Sequence, residues 1–438
     1  MNKKLLLLAL LVCVFGSTYA STLIQGNWRW RNNDGDENTA TFKAAQNTPI
    51  TITDYSELRL RIRVENESNV SDQTHSVGAL KYATSANGTF LNVGSANAFY
   101  WGKDHNLYFL TAMANLVQYN PKTKKHNSVK LQIPPQPIPI NAIMVGPDQK
   151  IWTGGYLAGG HATYDPLINK NTKYLGLDQT EGMAIYGDQI YFGIYPKGRF
   201  YVYNTKQSWD VAKNNPRKLG EIEGQSRAFA VLSLPEKQKM FFGTIPEYGK
   251  LGGALIVYDV VKDELKAHEN VVPNQAIASL ISDKNLVIAG TTVSGGLGVK
   301  ATTKEAILFG WDIDKNAKTF SIVPVPGAAA ITSLIKVDGN IWGMADGNLF
   351  VFNVAEQKVV SVKKLYDYPP LGSHIWRSAF LVKHPNGQIY GTDNNLLFKI
   401  DPATQNYTEI AKDAALLVVD AKGTLYFKRK TELWSYQP

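Results

Sequence analysis

From about residue 100 onward, apolar and polar positions alternate with the two-residue period of β-strands, and no long segment follows a helical period. One unit recurs. A small or apolar strand leads through a Gly/Asp/Asn turn into an aromatic-rich strand that often ends in glycine. A loop then leads to a third strand closing on an aromatic followed by Asp or Asn, and a polar fourth strand completes the unit. The third-strand endings make the register visible: Tyr119-Asn120, Tyr164-Asp165, Tyr203-Asn204, Tyr258-Asp259, Trp311-Asp312, Phe352-Asn353 and Ile400-Asp401. Second strands align as Trp152-Thr153-Gly154, Tyr191-Phe192-Gly193, Phe241-Phe242-Gly243, Trp342-Gly343 and Tyr390-Gly391. A spacing of roughly 35–55 residues is the range of propellers and solenoids. A single blade cannot bury both of its faces, so the blades must pack face to face around an axis. The Asp or Asn after each aromatic has a local task, accepting backbone N–H groups in the turn to strand four, so Tyr164-Asp165 is not a catalytic pair.

Counting first strands near 96–101, 140–145, 182–186, 228–232, 276–281, 329–334, 376–382 and 415–419 suggests eight units, with seven as the alternative. The last unit, ending at Leu433-Trp434-Ser435-Tyr436, has only three strands, and a strand near residues 89–93 is a candidate to complete it. Residues 21–95 do not fit the repeat. There Leu60, Ile62 and Val64 alternate with arginines, as in a half-buried strand. The predicted fold is therefore all-β: a β-propeller of seven or eight four-stranded blades spanning residues 96–438, preceded by a small β-sandwich-like domain over 21–95. The stretch from Trp28 to Ile50, with the later Leu-Arg-Leu-Arg strand, resembles an N-terminal module of other bacterial exported proteins.

The first residues change the picture of where the protein works. A basic start (Lys3, Lys4), an apolar run over 5–15 too short to span a bilayer, and small residues ending at Ala20 make a three-part secretory signal. Residues 1–20 are read as that signal, and the mature protein as secreted or periplasmic, with no membrane insertion. Val12 before Cys13 argues against lipidation. Cys13, the single cysteine, leaves with the signal, so no disulfide or thiolate chemistry is available to the mature chain. The core alone must hold it, and 44% hydrophobic residues supply one. The formal charge of +9 is dispersed, and basic residues do not interleave with aromatics along any segment. Nucleic acid is therefore not an expected partner.

Candidate chemistry lies in the loops joining strands two to three and one blade to the next, which open on one face of a propeller. They are rich in glycine and carry His161, Tyr195, Arg199, Arg227 and Tyr248, with Glu181, Gln275, His374 and Arg377 nearby. Such a set suits β-elimination on a uronate polysaccharide. His161 and Tyr195 would exchange protons, and Arg199 and Arg227 would hold the carboxylate through bidentate forks. Tyr248, Glu181, Gln275, His374 and Arg377 would complete substrate binding. A propeller with His, Tyr and Arg on one face is similar to the propeller polysaccharide lyases, including the ulvan and oligogalacturonate lyases. The resemblance is architectural; no motif aligns residue by residue, so no family catalytic residue is transferred.

The same residues have structural readings: His161 capping a hairpin, Tyr195 packing on the neighbouring blade, Arg227 bonding loop carbonyls. His105, His126, His268 and His384 are expected to be solvated. Too few carboxylates converge for a metal cage, and no nucleophile elbow, phosphate loop or paired-histidine zinc motif is present, so no metal and no cofactor is expected. Two functions remain. One is an exported carbohydrate-active lyase cleaving an anionic polysaccharide. The other is a non-catalytic propeller module binding glycan or protein. A monomer is expected in either case.

Overall fold

The structure is a computed structural model that describes residues 23–32, 34, 39–48, 50, 58–66, 81–82, 91–92, 96–111, 115–132, 137–157, 160–368 and 376–438. The chain forms two compact units, 1–136 and 137–438. In the first, Leu23–Asn32 pairs antiparallel with Leu58–Asn66 across a register shift between Gln25 and Trp28. The Arg29 guanidinium lies 3.7 Å from the Phe42 ring centroid. This unit also holds a four-stranded sheet from Ala96–Trp101 to Lys125–Lys130, of the same form as a propeller blade. The secretory signal read in residues 1–20 lies outside the described residues.

Residues 137–438 contain seven antiparallel sheets among the described residues, six of four strands and a last one of three. From first strand to last they run 140–174, 179–221, 225–269, 276–322, 331–364, 380–412 and 415–436, and they are called the first to seventh blades below. The inner strand of the seventh, Ala415–Val419, packs beside that of the first, Ile140–Val145. Ile143, Ile151, Leu416 and Tyr426 are buried together at this junction, and Lys428 Nζ donates to the Ile140 carbonyl at 2.9 Å. The propeller ring thus closes on seven blades. Leu91–Asn92, within the segment considered for completing the last blade, pairs with Lys81–Tyr82, and the rest of that segment lies outside the described residues.

The repeat signature has a physical explanation at each position. A Cβ on Gly193 would lie 2.5 Å from the Ala228 carbonyl, and one on Gly243 would lie 2.4 Å from Ile277. The glycine after the aromatic therefore lets the next blade's inner strand approach. Aromatics before it fill the space between blades: Trp152, Tyr191, Phe192, Phe241 and Phe242 are fully buried. Each such side chain stabilises the fold by about 1.5–3 kcal/mol. The Asp or Asn after the third strand does accept turn N–H groups. Asp165 takes one from Leu167 at 3.0 Å, and Asp401 takes those of Ala403 and Thr404 at 2.9 Å each.

Inner strands begin earlier than the alternation indicates. The second blade opens with Gln179–Tyr186 and the third with Gln225–Leu234, so Glu181 and Arg227 are strand residues rather than loop residues. Buried polar side chains that bond to one another look like a loop in the sequence. His384 also departs from expectation: it is buried, its Nε2 is 2.6 Å from the Gly423 carbonyl, and it ties the sixth blade to the seventh. His268 packs on Trp311 with centroids 4.5 Å apart, and burial lowers its pKa.

Candidate functional site

Strand register brings Gln179 opposite Tyr195 and Gln225 opposite Pro246, so inner-strand starts and the two-to-three hairpins share one face. At its centre stands Glu181, 0% exposed, in an ion pair with Nη1 of Arg227 from the next blade. The carboxylate is otherwise satisfied. Gln179 Nε2 donates to Oε1 at 2.7 Å, and Asn141 Nδ2 donates to Oε2 at 2.8 Å.

Arg227 is enclosed by aromatic groups. Its Cζ lies 3.8 Å from the Tyr195 ring centroid and 5.0 Å from that of Trp376, and Nη2 donates to the Tyr248 hydroxyl at 3.4 Å. Burial works against its charge, but Glu181 and the Tyr248 hydroxyl outweigh that and raise its pKa. The Tyr195 and Tyr248 hydroxyls are 3.0 Å apart. Burial, and then the Tyr248 bond, push the Tyr195 phenol up to about 12, so it stays protonated at neutral pH. Tyr248 remains 44% exposed.

The segment ahead of the sixth blade's inner strand reaches to other blades. Arg377 Nη1 donates to the carbonyls of Asn141 at 3.0 Å and Glu181 at 2.6 Å, in the first and second blades. Burial lowers its pKa to about 10, against the pull of Glu181, and it remains a cation at neutral pH. Trp376 Nε1 donates to the Gly295 carbonyl of the fourth blade at 2.8 Å. Trp376 and Arg377 thus join the sixth blade to four others.

Other proposed residues are committed within the fold. His161 is 1% exposed, with Nε2 bonded to the Thr180 hydroxyl and its ring against Phe192 and Trp209 at 5.2 and 5.4 Å. Burial lowers its pKa to about 4, so it is neutral and sealed between the first and second blades. Arg199 is also occupied: Nη2 donates to Asp178 at 2.6 Å and Nε to the Pro196 carbonyl at 2.9 Å, closing its own hairpin. Gln275 holds a loop, donating to the Glu305 carbonyl at 2.8 Å and accepting from the Thr291 hydroxyl. His374 lies outside the described residues. Tyr195, Tyr248, Arg227, Glu181 and Arg377 are the members brought together.

Asn141, Gln179 and Trp376 complete this cluster and were not among the candidates. A signal for the glutamine existed in the repeat. Gln179 and Gln225 begin the inner strands of the second and third blades, Gln275 immediately precedes that of the fourth, and Gln225 accepts from Thr244 as Gln275 does from Thr291. Among the described residues no group of three or more His, Cys, Asp and Glu side chains gathers to hold a metal ion.

The Tyr248 hairpin is buttressed by the fourth blade's long loop. Gly249 N–H donates to Leu297 O at 2.7 Å and Gly296 N–H to Lys250 O at 2.9 Å. A Cβ on Gly296 would sit 1.9 Å from the Glu247 carbonyl. Gly296→Ala should therefore displace the hairpin at a cost of about 1–3 kcal/mol. Proteolysis at residues 247–250 is the readout, and cleavage should be faster in the variant than in the parent.

No protein-family model matches the chain, and no curated protein matches it. Solved structures do. That of U3-55K is 11% identical, covering 67% of this chain and 89% of its own with a TM-score of 0.48. The WD40 β-propeller domain of Doa1 is also 11% identical, covering 69% of this chain and 94% of its own with a TM-score of 0.51. At such identity the likeness concerns fold alone, and the fold is an all-β propeller.

Proposed function

We propose that this chain is a non-catalytic propeller module that binds a protein partner through the loop face of its first three blades. The observation that carries this is the commitment of the polar groups there. Glu181, Gln179, Asn141, Arg199 and Arg377 all bond within the protein, and large aromatic and aliphatic side chains face solvent beside the charged residues Asp178, Lys197 and Lys250. Tyr156, Leu157, Leu175 and Tyr248 are exposed on this face, beside the Tyr195–Arg227–Trp376 stack. Tyr, Trp and Arg dominate the energetics of protein interfaces, and a rimmed apolar patch is their usual setting. A glycan site would need free amides and carboxylates at its centre, where Glu181, Gln179 and Asn141 instead bond to one another.

The lyase reading draws less support. β-Elimination needs a base that reaches substrate, yet His161 is sealed in the core and Tyr195 holds its proton. Export through the residues 1–20 signal, and a monomeric mature form, belong to the same proposal.

Partner capture from envelope and culture-fluid extracts, followed by calorimetry with the purified partner, tests it. Tyr248→Ala should weaken that complex about 30-fold, or roughly 2 kcal/mol. Binding to a glycan panel with no protein partner would overturn the reading. So would rising near-ultraviolet absorbance on a uronate polysaccharide, which would restore the lyase.

A further inference from the structure

We propose that the propeller axis, where it opens on the loop face, holds a carboxylate-binding site built by Arg377 and by Lys428 of the seventh blade. Contacts place Arg377 on the axis. Its Nη1 donates to inner-strand carbonyls of the first and second blades. Its Cζ lies 5.5 Å from the Phe229 ring centroid of the third blade and 4.8 Å from that of Phe380 in the sixth. A side chain meets inner strands on opposite sides of a seven-blade ring only near its centre. Lys428 lies opposite Ala415, where the seventh inner strand begins, and its Nζ donates to the Ile140 carbonyl at 2.9 Å. Ile140 and Asn141 are adjacent, so the two cations bond successive carbonyls of one strand start.

The charges at this mouth do not balance. Charges taken out of water are ordinarily paired, since an unpaired one loses its hydration with nothing in return. Among the described residues, the hydrogen bonds of Arg377 and Lys428 go to carbonyl oxygens alone, and neither side chain meets a carboxylate. Glu181 is already committed to Arg227, Gln179 and Asn141. Three cations thus share one carboxylate. Burial, and then the charge of Arg377, lowers the Lys428 pKa, so the two cations repel each other. Both keep part of their surface accessible, and both have donors to spare. Nη1 serves both carbonyls bonded by Arg377, which leaves Nε and Nη2 as a planar fork matched to the two oxygens of a carboxylate. Lys428 has used one of its three N–H groups. A carboxylate held between them satisfies the fork and removes the repulsion. That chemistry is common to a small organic acid and to an acidic side chain of a polypeptide. The site is additional to the exposed aromatic surface of the first three blades and does not depend on it.

The test is calorimetry on the full chain at neutral pH and low ionic strength, with two probes. One is succinate, and the other is a glutamate tetrapeptide acetylated and amidated at its ends, so that only its side chains carry charge. Saturable one-to-one binding of at least one probe is expected, with a dissociation constant below about 1 mM. Lys428→Gln keeps a donor for the Ile140 carbonyl and removes the charge, and it should weaken binding at least about tenfold. Arg377→Lys keeps the charge and removes the fork, and it should weaken binding to a similar degree. Near-ultraviolet circular dichroism identifies the variants that retain the native fold. Binding of succinate assigns the site to small organic acids. Binding of the peptide alone assigns it to an acidic side chain of a polypeptide. Failure of both probes to bind the folded parent chain overturns the proposal, and so does undiminished binding in a folded Lys428→Gln variant.

Discussion

Glu181→Ala is expected to lower the free energy of unfolding by about 3–5 kcal/mol, because it strands the Arg227 charge in a buried setting. The carboxylate is wholly enclosed and meets Arg227, Gln179 and Asn141, while Arg377 holds its backbone carbonyl. Its loss leaves several buried donors without an acceptor at once. Arg227→Met should cost a similar amount for the mirror-image reason, leaving the carboxylate unpaired. The double variant should lose clearly less than the two singles combined, with a coupling of about 1–3 kcal/mol. Guanidinium chloride unfolding followed by tryptophan fluorescence measures all three. Strict additivity would mean that the two groups do not depend on each other. The pair also joins the second blade to the third, so a variant that survives should show looser protection of both inner strands.

The second large effect is on acid stability. His161 has its pKa lowered by burial from 6.5 to about 4. The unfolded chain takes up a proton at His161 as pH falls below 6.5, and the native chain resists until about pH 4. Stability is therefore complete above the unfolded value and drains away across that interval. It amounts to roughly 3 kcal/mol from this residue. His161→Gln removes the titrating group while keeping a polar atom near Thr180. Its unfolding free energy should change less between pH 7 and pH 4 than the parent's, by roughly 3 kcal/mol. Equal slopes in the two proteins would show that His161 is hydrated in the native state. The same burial that creates this acid sensitivity keeps the imidazole away from any substrate.

The two effects bear on function in different ways. The Glu181–Arg227 pair is a support beneath the Tyr195 and Tyr248 side chains, so its loss should affect stability and binding together. His161 is 1% exposed and presents nothing to a partner, so its replacement should leave partner binding at neutral pH unchanged.

Much of the propeller could be read along the chain because its determinants are local. Aromatic-Gly pairs, the acceptor after each third strand and the two-residue alternation each act within a blade or at its nearest neighbour, so they recur at a readable spacing. The three strands that the last blade has among the described residues were legible for the same reason. Sequence alone determined, in this way, an all-β repeat fold and the face on which its loops gather. Tertiary structure decided what depends on contacts between distant residues. Ring closure on seven blades rests on the meeting of Ala415–Val419 with Ile140–Val145, far apart in sequence. The roles of the polar residues were decided there too. Arg199 was taken by Asp178, His161 by Thr180 and the core, and Arg227 by a carboxylate on the neighbouring blade. A side chain's residue type sets what chemistry it can do, but its partner and its access to water set whether that chemistry is free, and packing determines both.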